Sequence, residues 1–165
     1  MAQVAFDVAK VMADLAKMEA DGYNFYEKVA KAAEGTRTQK AFQKFANDER
    51  KHEAFYLKQM KKYEGKVYEV DQEEAKFLNL MLSAPSPLDK LEDEVGDTEV
   101  WDSSQVLKIA EKLERDTILF LGQIMAVHDD FAKEEAFIAA LKEEKEHLST
   151  ILQSQSERLS SALML

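Results

Sequence analysis

Two short motifs place a carboxylate and an imidazole three residues apart. Residues 49–52 read Glu-Arg-Lys-His and residues 144–147 read Glu-Lys-Glu-His, so both have the pattern Glu-x-x-His. On a helix, residues i and i+3 share a face, so both side chains of each motif can reach one metal ion. Glu19 and Glu114 each lie thirty residues before the glutamate of a motif. The pattern therefore offers two sets of three ligands.

These glutamates and histidines lie on helical stripes that are otherwise mostly apolar, and no lysine or arginine shares the stripes. A buried carboxylate without a partner is very costly, so it must be neutralised, paired or bound to a metal. Two divalent ions would balance four carboxylates, with two neutral imidazoles completing the ligand set. The predicted metal ligands are Glu19, Glu49, His52, Glu114, Glu144 and His147.

The two ligand sets are related by one shift along the chain. Moving the sequence by 95 residues superposes Glu19 on Glu114, and both motifs coincide under the same shift. Other matching pairs include Lys17 with Lys112, Asp21 with Asp116, Phe25 with Phe120, Phe42 with Phe137 and Leu57 with Leu152. This indicates an internal duplication, whose two copies would place two half-sites face to face.

Helical periodicity predicts four long helices in a single domain spanning residues 1–165. Their expected bounds are about 3–34, 36–64, 103–128 and 130–160, with Gly35 and Gly65 next to the ends of the first two. Strand signals are weak. Short links make each successive pair an antiparallel hairpin, and a long crossover, residues 66–102, joins the hairpins. The crossover can contain a short helix at 72–82.

The pattern resembles the ferritin-like di-iron carboxylate superfamily, most closely its rubrerythrin-like branch. The resemblance covers the four helices and implies an all-α, ferritin-like four-helix bundle that holds two iron ions, with manganese or zinc as possible substitutes. It also implies that Glu49 and Glu144 bridge the metals, while the other four residues are terminal ligands. In the resembling family, acids at the positions of Asp48 and Glu143 often hydrogen-bond a ligand histidine of the other half.

Two departures from rubrerythrins concern the chemistry. Rubrerythrins usually add a rubredoxin domain that supplies electrons through four cysteines, and this chain has no cysteine, so we expect an external electron donor. They also carry a glutamate where this chain has Thr117. Tyr26 lies two turns after Glu19; it can act as a redox or hydrogen-bonding residue near the metals, and core packing explains it nearly as well. We expect no catalytic residue beyond the metal ligands.

The leading functional hypothesis is a di-iron oxidoreductase of rubrerythrin type that reduces hydrogen peroxide or dioxygen. The alternatives are a ferroxidase for which iron is the substrate, a hydroxylase with an organic co-substrate, and a non-enzymatic helical binding module. The family resemblance also implies a homodimer.

Composition narrows the partners and the location. The net charge of −10 argues against a nucleic-acid partner, because phosphate binding needs a basic surface. No apolar run approaches the length of a membrane span or a signal-peptide core. We therefore expect no membrane partner and a cytoplasmic location.

Overall fold

The computed structural model describes residues 2–33, 35, 37–88 and 103–163. The chain forms two compact units, Met1–Ala84 and Pro85–Leu165. The single domain expected from the sequence stays a prediction.

The first unit consists of a helix hairpin and a small sheet. Its elements in chain order are β1 (Gln3–Asp7), α1 (Val8–Ala32), α2 (Arg37–Tyr63), β2 (Val67–Asp71) and α3 (Gln72–Leu82). Strands β1 and β2 pair antiparallel. Helices α1 and α2 pack along each other, as the short link between them requires. The helix predicted inside the crossover, at 72–82, is confirmed.

The predicted start of the first helix is wrong, because residues 3–7 form β1 and the helix begins at Val8. Side chains in β1 alternate, and Phe6 is the one that is buried. Val70 is likewise the buried residue of β2, so one face of the ribbon packs inwards. Asp7 then caps α1 by accepting a hydrogen bond from the Lys10 N–H at 3.1 Å. A strand of five residues is too short for its alternation to stand out from helical periodicity.

Two glycines lie just beyond the ends of the long helices of this unit. Gly35 and Gly65 have φ values of +78° and +73°, which residues with a side chain rarely adopt. After α2, the Lys66 N–H donates to the Tyr63 carbonyl at 3.0 Å, so the helix ends where the sequence places its stop. The predicted end of the first helix, residue 34, and the predicted start of the second, residue 36, lie outside the described residues.

The second unit contains α4 (Ser103–Val127), α5 (Asp129–Ala132) and α6 (Glu135–Leu163). The fourth helix was predicted to begin at 130, and this is wrong: a short helix precedes it and α6 begins at Glu135. His128 caps the short helix by accepting a hydrogen bond from the Asp130 N–H at 3.1 Å. Residues 89–102 of the predicted crossover lie outside the described part of the chain.

A polar contact joins α4 to α6. The Gln155 side-chain amide donates to Glu111 Oε2 at 2.9 Å and to the Leu107 carbonyl at 3.3 Å. Arg115 Nε donates to the other oxygen of Glu111 at 2.8 Å. The hydrogen bonds from Gln155 and Arg115 lower the pKa of Glu111 below its ordinary value.

We expect the Glu111 contact to stabilise the fold in a pH-dependent way. Because the pKa is lowered on folding, the contribution of the ionised carboxylate is complete above about pH 4.5, the ordinary value, and is lost as the pH falls through the lowered value. The free energy of unfolding of wild type minus that of Glu111→Gln is therefore constant near neutral pH and shrinks in acid. Urea titrations of both proteins across pH measure it, and a difference that does not change with pH would contradict the contact.

Two leucines of α3, one buried and one exposed, test how this helix packs. Leu78 is fully buried, whereas Leu80 on the same helix is 62% exposed. We expect Leu78→Ala to lower the free energy of unfolding by about 2–5 kcal/mol, because it leaves a cavity. Leu80→Ala changes it by less than about 0.5 kcal/mol. Urea unfolding of both variants checks this; equal losses would mean that α3 does not pack as described.

Candidate metal centre

The first unit brings together three of the predicted ligands. Glu19 comes from α1, and Glu49 and His52 come from adjacent turns of α2. His52 Nδ1 lies 3.7 Å from Glu19 Oε2 and 3.6 Å from Glu49 Oε2. All three side chains are buried, and each offers a ligand atom within 4.8 Å of the others. We call this group the first triad.

The second unit brings together the other three. Glu114 comes from α4, and Glu144 and His147 come from adjacent turns of α6. His147 Nδ1 lies 3.6 Å from Glu114 Oε2 and 3.5 Å from Glu144 Oε2. These residues are at most 2% exposed, and their ligand atoms also lie within 4.8 Å of one another. We call this group the second triad.

The two triads have nearly the same internal geometry. In both, the Nδ1 atom of the histidine approaches one oxygen of each carboxylate, and corresponding distances differ by 0.1 Å. The helices that carry them are related by the 95-residue shift in the sequence. The geometry is what a duplicated ligand set requires.

The spacing within each triad fits a shared metal ion. Two ligand atoms that each lie about 2.1 Å from one ion are about 3.0–3.6 Å apart at angles of 90–120°. The nitrogen–oxygen distances here are 3.5–3.7 Å. A direct N–H···O hydrogen bond is shorter, at about 2.7–3.2 Å. Two carboxylates and one imidazole are also the donors that iron and manganese accept.

The two basic residues inside the first motif contact side chains other than those of the triad. Lys51 Nζ lies 2.6 Å from Asp48 Oδ1, and the Arg50 guanidinium lies over the Tyr23 ring, 4.3 Å from its centroid. Both side chains are exposed at the surface of α2. Their charges are therefore directed away from Glu49, which strengthens the need for a cation at the triad.

Asp48 and Glu143, the two acids that precede the motifs, differ in environment. Asp48 is buried, and besides Lys51 it binds Lys44, whose Nζ lies 2.7 Å from Oδ2. Glu143 is exposed on α6. Equivalent positions of the duplication thus carry acids in different settings. Their predicted hydrogen bonds to ligand histidines stay a prediction.

Tyr26 lies in an aromatic cluster. Its ring centroid is 5.2 Å from that of Phe25, 5.8 Å from Phe42 and 5.4 Å from Phe45, and the side chain is almost fully buried. Packing of this kind accounts for its place on the apolar stripe. A role for Tyr26 near the metals stays a prediction.

The side chain of Glu49 has space beside it at Gly22. A Cβ atom added there would lie 3.6 Å from Glu49 Cγ and 3.9 Å from Glu49 Oε2, which is ordinary contact distance. The equivalent position in the second unit is Thr117, which is buried. Glycine therefore leaves room for about one small group next to the carboxylate.

Sequence reasoning gave no role to two polar residues further along α2. Tyr56 and Gln59 are both buried, and Gln59 Oε1 accepts no hydrogen bond from any residue that the structure describes. The 95-residue shift places Ile151 and Ser154 at these positions. The sequence did contain an indication of this, because Tyr56 and Gln59 are polar residues on a mostly apolar helical stripe.

Two buried Glu-Glu-His triads, each on an antiparallel helix hairpin, define a metal-binding helical protein. The family model described as Rubrerythrin matches residues 10–153, and the chain belongs to this family. No curated protein matches the chain.

Among solved structures, the chain is similar to a Thermotoga maritima protein provisionally described as a ferritin-like diiron-carboxylate protein. The TM-score is 0.66 at 19% sequence identity, covering 93% of this chain and 97% of that one. The similarity confirms the predicted all-α, ferritin-like bundle, whose four long helices are α1, α2, α4 and α6. No helix in the described ranges is long and apolar enough to cross a bilayer.

We expect Glu114→Gln to separate the cost of the buried charge from its use in metal binding. Without metal, the variant should be at least as stable as wild type, because a buried amide costs less than a buried carboxylate. With Mn(II) at a hundredfold excess over its dissociation constant, wild type gains about 2.7 kcal/mol. The variant loses most of that gain.

Urea unfolding with and without Mn(II) measures both effects. Glu146→Gln is the matched control, because Glu146 is on α6 next to His147 and its side chain is 63% exposed. An equal metal-induced gain in Glu114→Gln and wild type would exclude Glu114 as a ligand.

Proposed function

We propose that the two triads together hold two iron ions and that the protein reduces hydrogen peroxide or dioxygen with electrons from an external donor. The observation that carries the proposal is the pair of equivalent, buried Glu-Glu-His triads in a chain of the rubrerythrin family. The structural relative, described as a diiron-carboxylate protein, supports the same metal.

Charge balance supports two ions rather than one. The triads contain four carboxylates and two histidines, all at most 4% exposed. Two Fe(II) ions neutralise four carboxylates with neutral imidazoles as the remaining ligands, whereas one ion would leave two negative charges in the protein interior. Buried charge of that kind costs several kcal/mol for each ion.

An iron pair supplies two electrons, one from each Fe(II), which is what reduction of one O–O bond requires. The side chains of the protein set the conditions for that chemistry. The four carboxylates and two imidazoles of the triads would hold the ions. The burial of these groups keeps bulk water away from them.

The proposed oxidant is a molecule of two oxygen atoms rather than an organic substrate. The chain contains no cysteine, and the proposal therefore includes a separate electron carrier. A homodimer is part of the proposal.

We expect anaerobic loading to give about two iron ions per chain, because the two triads each contribute one ligand set. Glu49→Ala and Glu144→Ala should each bind one iron fewer than wild type, because each removes a ligand. We expect peroxide turnover in each variant to fall at least about a hundredfold. Metal analysis and stopped-flow peroxide reduction measure these effects.

Glu146→Ala is the control, because Glu146 is exposed and pairs with Lys142 rather than with the triad. It should keep both irons and wild-type turnover. Undiminished turnover in iron-loaded Glu49→Ala would refute the proposed site. Size-exclusion chromatography tests the dimer at the same time, and a large shell with a mineral core would instead favour iron storage.

A further inference from the structure

A basic surface lies at the carboxyl end of α2, on the helix that carries Glu49 and His52. Four lysines occur within residues 57–67, against the single acid Glu64, so this segment has a charge of +3 in a chain of −10. All four are exposed. We call the group the lysine surface: Lys58, Lys61, Lys62 and Lys66.

The contacts of the four lysines differ. Lys58 and Lys61 form no ion pair with any residue in the described ranges. Lys62 and Lys66 place their ammonium groups 5.3 and 5.6 Å from the centroid of the Tyr63 ring, an arrangement that keeps the positive charge at the surface.

Exposed apolar side chains flank the lysines. Leu57 is 41% exposed at one side, and Val67 is 68% exposed at the other. A protein docked on the lysines would cover these two apolar side chains as well.

The fold itself does not require this surface. The 95-residue shift that superposes the triads places Gln153, Ser156, Glu157 and Ser161 at the positions of the four lysines. The equivalent end of α6 therefore has no lysine, although its helix presents the same ligands. The equivalent segment, residues 152–162, has one acid, Glu157, and one base, Arg158, so its net charge is zero.

The lysine surface is linked to the first triad by α2. Lys62 is ten residues beyond His52, about 15 Å along the helix axis. Two buried aromatic rings, those of Tyr56 and Tyr63, lie on the helix between His52 and this end.

We propose that the lysine surface is the docking site for an acidic one-electron carrier protein that re-reduces the iron pair. The inference rests on the proposed function, in which electrons come from a separate carrier. Two reduced carriers each lose one electron, and two Fe(III) ions become two Fe(II) ions. Positive charge on an otherwise acidic protein both attracts an acidic carrier and restricts where it binds.

The test uses a reduced plant-type [2Fe–2S] ferredoxin as the probe, with the full-length chain in metal-free and iron-loaded forms. The variant is Lys58→Glu/Lys61→Glu/Lys62→Glu. The control is Lys10→Glu/Lys17→Glu/Lys28→Glu, which changes three exposed lysines of α1 and gives the same net charge. Calorimetry at low ionic strength measures binding, and stopped-flow measures ferredoxin oxidation.

We expect the lysine-surface variant to bind ferredoxin at least about tenfold more weakly than the control variant, with a flatter salt dependence. Oxidation of ferredoxin by its oxidised, iron-loaded form slows in parallel. Reduction by dithionite, which needs no docking site, stays at the wild-type rate. This result would support the docking site and would show that the iron site of the variant is intact.

Equal weakening in the two variants would overturn the proposal, because it would show only an effect of net charge. Wild type that binds no ferredoxin, or that binds a single-stranded oligonucleotide more tightly at these lysines, would overturn it as well. Failure of the dithionite-reduced wild type to consume peroxide would contradict the proposed function instead. The binding measurements still decide the docking site in that case.

Discussion

The constraint on which this protein depends is the burial of four carboxylates. Glu19, Glu49, Glu114 and Glu144 are all at most 4% exposed. In an apolar interior each would be very costly without a compensating charge. The basic residues nearest to Glu49 in sequence, Arg50 and Lys51, contact Tyr23 and Asp48 instead. The helices are therefore built around groups that need cations, and the histidine of each triad adds one neutral ligand for a metal ion.

Duplication explains how the ligand set is built, and divergence explains how its two halves differ. The triads have kept the same atoms at nearly the same distances. Their surroundings have changed: Gly22 corresponds to Thr117, and Tyr56 corresponds to Ile151. The space beside Glu49 and the basic end of α2 both belong to the first unit. One half has thus acquired features that metal binding alone does not demand.

The sequence was most informative where one physical requirement governs many residues. Helical periodicity and buried acids identified the long helices and both triads, because ligands on a helix must recur at i and i+3. Two other features of the fold were harder to predict. The pairing of β1 with β2 joins segments about sixty residues apart, and the predicted last helix is divided into the four-residue α5, which His128 caps, and α6. Neither depends on a pattern that repeats.

The environments of individual polar groups were also beyond sequence reasoning. Asp48 and Glu143 occupy equivalent positions, yet one is buried between two lysines and the other is exposed. That difference depends on which neighbours each helix meets. Sequence spacing determines which side chains share a face, whereas packing determines what that face contacts.

The most direct measurement is anomalous diffraction at the iron edge from crystals grown anaerobically with Fe(II). The account requires two iron peaks per set of six ligands, with the glutamates and the histidine of each triad coordinated to them. Iron found only on exposed carboxylates, with both triads free of metal, would contradict it.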